Sequence, residues 1–202
     1  MIVGPETPDA DRARGFTEAL RRVLAERAPL RREAPPGAKA AAVLVALFPG
    51  PGGVPHVWLV LRPTALRAHS GQVALPGGKR DPEDPDLITT ALREAEEEIG
   101  LPRAAVEVLG EADDLVTTTG FVITPVVGWI GAPFHPVINP AEVSRIFSAP
   151  FATFRDAGLI ELIPIESIRR RVRAYRVEGE IVWGATAAIL TALAERAATL
   201  PP

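Results

Sequence analysis

Apolar residues recur along this chain at two different periods, and the periods divide it into helices and strands. Over residues 10 to 28, Phe16, Ala19, Leu20, Val23 and Leu24 fall at helical spacing, which predicts an amphipathic N-terminal helix. Pro29, then Pro35-Pro36-Gly37, end it and form a connector. Ala40 to Phe48 and His56 to Leu61 are short apolar runs separated by Pro49-Gly50-Pro51-Gly52-Gly53, which predicts two buried strands joined by a loop. Helical spacing returns in Ile88, Ala91, Leu92, Ala95 and Ile99, predicting a core-facing helix over 87–100 that stops at Gly100. Val106 to Val116 and Val122 to Ile130 follow as strands. Arg171 to Val177 and Ile181 to Trp183 form a weaker hairpin around Glu178-Gly179. Gly184 to Ala198, with Ala188, Ile189, Ala192 and Leu193, closes the chain as a helix. Strands and helices interleave, so the expected architecture is α/β, a layered domain on a mixed sheet. Residues 1–38 are expected to be a helical arm and connector, and 39–202 the domain itself.

Composition narrows the chemistry. A length of 202 residues suits one domain, and 47% hydrophobic with 23% charged residues is the balance of a soluble globular protein. The absence of Cys excludes disulfides, thiolate zinc sites and Cys nucleophiles, leaving carboxylates and three His as metal ligands. A pI near 5.7 argues against a general nucleic-acid binder. Glu6, Asp9 and Asp11 precede any apolar run, unlike a signal peptide. The longest apolar stretch, Ala40 to Phe48, falls far short of the roughly 20 residues that span a bilayer. A cytoplasmic protein with no membrane partner is the expectation. The 21 Pro, about twice the usual ~5%, are scattered as punctuation, and no internal repeat is present.

Charge is distributed unevenly. Between Asp81 and Glu98 lie Asp81, Glu83, Asp84, Asp86, Glu94, Glu96, Glu97 and Glu98 against one base, Arg93. That segment carries -7, so a chain of net -3 leaves +4 on the other residues. With about 100° per residue, Glu94 and Glu98 stack beside the apolar stripe, Glu97 lies next to them, and Glu96 points to the other flank. Like charges at i and i+4 destabilise a helix by roughly 0.2 to 0.5 kcal/mol per pair, and partial desolvation adds to that cost. A solvated acidic face is the ordinary meaning of such a run. The alternative is a bound cation, and hard divalent ions such as Mg²⁺ take carboxylates together with substrate phosphates. Arg93 is placed to orient Glu97 by an i,i+4 ion pair. An EF-hand is excluded because Asp86 stands where its loop needs Gly, and a Walker A loop because Gly78-Lys79 is followed by Arg80. No G-x-G-x-x-G is present.

Gly78 followed by Arg93-Glu94-Ala95-Glu96-Glu97-Glu98-Ile99-Gly100-Leu101 closely resembles the signature of the Nudix hydrolases: Gly, five residues, Glu, seven residues, then Arg-Glu-apolar-x-Glu-Glu-x-Gly-apolar. The second half matches throughout. The loop of the first half is one residue longer, so the isolated Glu position falls on Asp84 counting forward and on Pro85 counting back. Upstream, Trp58-Leu59-Val60-Leu61-Arg62 and Leu66 to Gly78 resemble the extra motif of the coenzyme A pyrophosphatase branch, with Leu75 in place of its Phe. Asn139-Pro140-Ala141-Glu142-Val143 and Val182 to Ala187 are similar to further segments of that branch.

The resemblance implies a Nudix α/β/α sandwich and Mg²⁺- or Mn²⁺-dependent cleavage of coenzyme A, and of acyl derivatives, to 4'-phosphopantetheine and adenosine 3',5'-bisphosphate. NADH, ADP-ribose or a nucleoside triphosphate is the alternative substrate, and a catalytically silent Nudix binding module is the alternative class. Glu94 and Glu98 are the expected metal ligands, with Glu97 a third ligand or the base. Gly77 is placed at the metal and Gly78 against the phosphates, since both allow close backbone approach. Arg93 is grouped with the catalytic residues. Glu142 is an extra ligand or general base, or else a plain helix-start Glu. Arg62 and Arg67 are expected on phosphate oxygens, with His69 and Gly71 beside them. His56 and His135 are assigned no role. Five arginines between Arg169 and Arg176 offer contact to a 3'-phosphate or an ordinary solvated strand edge, and Trp183 is expected in the core in preference to a base-stacking platform. The small-molecule substrate is the main partner, and a homodimer is left open.

Overall fold

The computed structural model describes residues 8–64 and 71–198. The chain's longest apolar run forms the middle of β1 (Lys39–Pro49), and it can be apolar on every residue because both of its faces are buried. Val45 and Leu47 enter one core, while Ala42, Leu44 and Ala46 enter the other. β1 pairs in parallel with β7 (Phe121–Trp129), from Lys39 opposite Phe121 to Leu47 opposite Trp129. Its other edge is divided. Leu47 to Pro49 pair antiparallel with β2 (Pro55–Leu61), and Ala41 to Val43 pair antiparallel with β4 (Gly77–Lys79). β2 also carries β3 (Val73–Ala74) and β8 (Arg145–Pro150), and β7 carries β5 (Glu107–Glu111) and β6 (Leu115–Val116). The sheet is therefore mixed, as expected.

Helices cover both faces. α2 (Leu87–Ile99) lies on one, where Ala91 and Ala95 share a core with Ala42 and Ala46, small residues that let helix and sheet approach closely. α1 (Pro8–Ala25) and α3 (Gly184–Arg196) supply the other core, with Phe16, Leu20, Val23, Leu24, Ile189, Leu190 and Leu193 buried there. Phe16 sits 6.0 Å from Trp129 and 6.3 Å from Phe151, ring to ring. β9 (Glu161–Ile165), β10 (Arg170–Val177) and β11 (Glu180–Trp183) form a second, antiparallel sheet. Trp183 is only partly buried. Among the described residues no helix is long and apolar enough to cross a membrane.

Several boundaries differ from the expectation. The first helix ends at Ala25 and not near residue 28, where Arg196 Nη2 takes the carbonyls of Val23, Leu24 and Arg27. The single strand expected over Val106 to Val116 is broken into β5 and β6. There Asp113 and Asp114 leave the ladder to bind Arg27, Arg31 and the backbone N–H groups of Leu30 and Arg32. β3 and β4 are too short to show a period, and β8 and β9 each contain a Pro that dilutes theirs.

Candidate active site

α2 begins where Asp86 accepts the N–H of Thr89 at 2.7 Å, and ends on Gly100 in the left-handed region at φ 69°. Between these caps the helix turns Glu94 and Glu98 toward β4. Glu98 is buried, 1% exposed. Its Oε2 accepts the N–H of Gly77 at 3.1 Å, and Arg62 Nη1 from the end of β2 stands 3.5 Å from its Oε1. Glu94, one turn earlier, lies over Gly78, where a Cβ would come within 2.5 Å of both carboxylate oxygens. Glu142 arrives from the segment between β7 and β8. Carboxylate oxygens of Glu94, Glu98 and Glu142 lie within 4.8 Å of one another, a set with the donor type and spacing for a hard divalent ion.

A second layer of charge holds α2 in place. Arg93 Nη2 meets Asp84 Oδ2 at 3.0 Å and donates to Lys79 O at 3.2 Å. Its Nη1 meets Glu94 Oε1 at 3.1 Å and Glu97 Oε2 at 3.0 Å. Asp84, almost fully buried, also accepts from Thr90 Oγ1 at 2.9 Å and from the N–H of Asp81 at 3.1 Å. The Arg93 guanidinium and these donors hold the Asp84 carboxyl down to about 2. Burial acts in the opposite direction on the cluster. It pushes Glu98 up to about 8 against the opposing pull of the Gly77 N–H and Arg62, and it raises Glu94 against the pull of Arg93.

A family profile described as NUDIX domain matches residues 38–170 of this chain. The chain belongs to the Nudix family. An uncharacterized Nudix hydrolase, NudL, of Photorhabdus laumondii subsp. laumondii is 38% identical over 158 residues, spanning 77% of this chain and 83% of that protein. A NudL of Yersinia pestis (strain Pestoides F) is 41% identical over 160 residues, 77% of this chain and 78% of its own. The crystal structure of the M. smegmatis Nudix hydrolase RenU superposes with a TM-score of 0.58 at 24% identity, covering 82% of this chain and 89% of that one, which shows a shared fold.

Within this Nudix site the structure brings together Glu94, Glu98, Glu142, Arg62, Arg93, Gly77 and Gly78. Glu97 is half exposed on Arg93 and is not part of the carboxylate set. Gly71, at φ 63°, lies one residue before Gln72, whose carbonyl accepts the Arg62 N–H at 3.0 Å. Arg67 and His69 lie outside the described residues. Of the arginine run, Arg176 pairs with Glu161 and Arg171 donates to Leu162 O, while Arg169, Arg170 and Arg171 line a shallow groove of ≈ 450 Å³ with Pro164, Ile165 and Glu166. Two residues went unassigned from sequence. Thr90 braces Asp84, and its only signal was a polar residue inside an apolar-periodic helix. Asn139 contacts Glu142 and gave no signal beyond its place in the segment.

Proposed function

We propose that this Nudix protein hydrolyses the diphosphate of coenzyme A, and of acyl derivatives, to 4'-phosphopantetheine and adenosine 3',5'-bisphosphate with Mg²⁺ or Mn²⁺. Family membership carries the coarse statement, a hydrolase of a nucleoside diphosphate derivative, and Nudix hydrolases generally use such divalent ions. The observation that carries the site is the closure of Glu94, Glu98 and Glu142 within 4.8 Å, all oxygen donors, two of them raised by burial as carboxyls awaiting a cation would be. These three residues would hold the ion. Bound there, it supplies charge neutralisation for phosphate oxygens and a more acidic water.

The protein's own groups do the rest. Arg62 keeps a buried Nε without a hydrogen-bond partner among the described residues, a donor suited to a phosphate oxygen beside the cluster. Gly78 leaves the Glu94 carboxylate the space of a side chain. Arg93, anchored by Asp84, fixes the azimuth of Glu94 and Glu97 together. Glu142, inside the cluster, and Glu97, on the solvent side, are the two carboxylates able to take the proton of the attacking water. The choice of coenzyme A rests on the sequence segments Trp58 to Arg62 and Leu66 to Gly78, which resemble that branch. A mass-spectrometric product screen over coenzyme A, acetyl-coenzyme A, NADH, ADP-ribose and nucleoside triphosphates tests it. Adenosine 3',5'-bisphosphate from coenzyme A is expected; cleavage of the other substrates without it assigns the site to another diphosphate.

A further inference from the structure

The segment that delivers Glu142 is pinned to the end of α2. Val137 N–H donates to Ile99 O and Asn139 N–H to Glu98 O, each at 2.9 Å. Gly100 makes room for this, since a Cβ there would stand 3.1 Å from Val137 O and 3.2 Å from its Cβ. Asn139 then turns the chain. Its carbonyl accepts the N–H groups of Glu142 at 3.0 Å and Val143 at 2.8 Å, and its Oδ1 accepts the N–H of Ala141 at 3.1 Å. A backbone N–H can only donate, so that contact fixes the orientation of the amide and leaves Nδ2 facing Glu142 Oε1 at 3.4 Å. One residue is thus bonded to the backbone of Glu98 and to the side chain of Glu142.

We propose that Asn139 is a positioning residue for the metal-dependent reaction: its amide holds one oxygen of Glu142 so that the carboxylate stays turned into the cluster with Glu94 and Glu98. This rests on the reading of those three carboxylates as the metal set. The physical need is clear, because Glu142 has several rotatable bonds and two acidic neighbours that repel it when all are ionised. A donor on one oxygen offsets both the freedom and the repulsion, and groups that orient metal ligands in this way typically matter about 10- to 100-fold.

Asn139→Asp is the test, because an Asp oxygen still accepts the Ala141 N–H and preserves the turn while the donor to Glu142 is lost. In the full chain, kcat on coenzyme A with Mn²⁺ is expected to fall about tenfold with KM within about twofold, and the Mn²⁺ Kd by calorimetry to weaken about tenfold. Placed in a Glu142→Ala background, the same change is expected to alter either quantity less than about twofold, since the side chain it acts through is gone. Asn139→Ser, whose hydroxyl can close the turn but is too short to reach Glu142, gives the same readings should the Asp variant fold poorly. Parental kcat and Mn²⁺ affinity in N139D, or an equal loss in both backgrounds, would overturn the proposal. A Glu142→Ala protein with parental turnover and Mn²⁺ affinity is a different result: it removes Glu142 from the site, and the role of Asn139 falls with it.

Discussion

Gly78 and Glu94 share one volume: a Cβ on Gly78 would stand within 2.5 Å of both Glu94 carboxylate oxygens. Gly78 is not in the left-handed region, so Ala adds no backbone strain, and the group that must move is the far end of a flexible side chain. Gly78→Ala should therefore fold almost normally, with stability within about 1 kcal/mol of the parent. Turnover should fall about 10- to 100-fold as Glu94 is displaced. Thermal melts and steady-state kinetics on the same preparation check this.

The Asp84–Arg93 pair makes a prediction about acid. Arg93 holds Asp84 down to about 2, below its ordinary 3.8, so the pair stabilises the fold above about 3.8 and loses that contribution as pH falls toward about 2. Asp113, held down to about 2 by Arg27, behaves alike. Asp84→Asn should cost about 1.5–3 kcal/mol at neutral pH, since Arg93 loses its most buried charge partner while keeping Glu94 and Glu97. It should also flatten the acid limb of the stability curve. Urea unfolding from about pH 2 to 7 measures both.

Glu98 gives the opposite slope. An unfolded Glu98 ionises near 4.5, whereas the folded, metal-free group stays protonated until about 8. The unfolded state thus loses its proton first, and the metal-free protein should lose stability as pH rises between those values. Mg²⁺ or Mn²⁺ favours the carboxylate, so the rise in Tm that either ion gives should grow over the same window. Glu98→Gln should weaken both trends, leaving what the raised Glu94 contributes. Melting curves with chelator and with metal, taken across that range, decide it.

The N-terminal helix packs as part of the core. Leu20 is fully buried beside Phe16, Val23 and Leu24, and Arg196 from α3 closes the helix end. Leu20→Ala should cost about 2–5 kcal/mol in urea unfolding, whereas a loosely attached arm would lose almost nothing.

How much of this was legible in the sequence depends on range. Spacing along one helix placed Glu94 and Glu98 on a common edge and stopped α2 at Gly100, because both are local geometry. For Glu142 the sequence left two meanings open, an extra ligand or base and a plain helix-start Glu, because its arrival beside Glu94 and Glu98 depends on how the segment after β7 seats on the Ile99 and Glu98 carbonyls. Asp84 was ambiguous by counting, and the structure resolves it by contact: the longer loop still delivers Asp84, not Pro85, to Arg93. β4 could not be read from a two-residue Gly pair, although it sets Gly77 and Gly78 under the helix. Glu97 satisfied the spacing for the ion pair with Arg93, and that pair leaves it outside the carboxylate set.

The most direct measurement is turnover of coenzyme A by the parent and by Glu98→Gln, each with Mg²⁺ and with chelator. Gln can still accept the Gly77 N–H, so the variant should keep its fold. The parent should release adenosine 3',5'-bisphosphate with Mg²⁺ and not with chelator, and the variant should lose at least about 100-fold with its fold intact. Full activity in Glu98→Gln, or in the parent without a divalent ion, would contradict metal-dependent hydrolysis at this site.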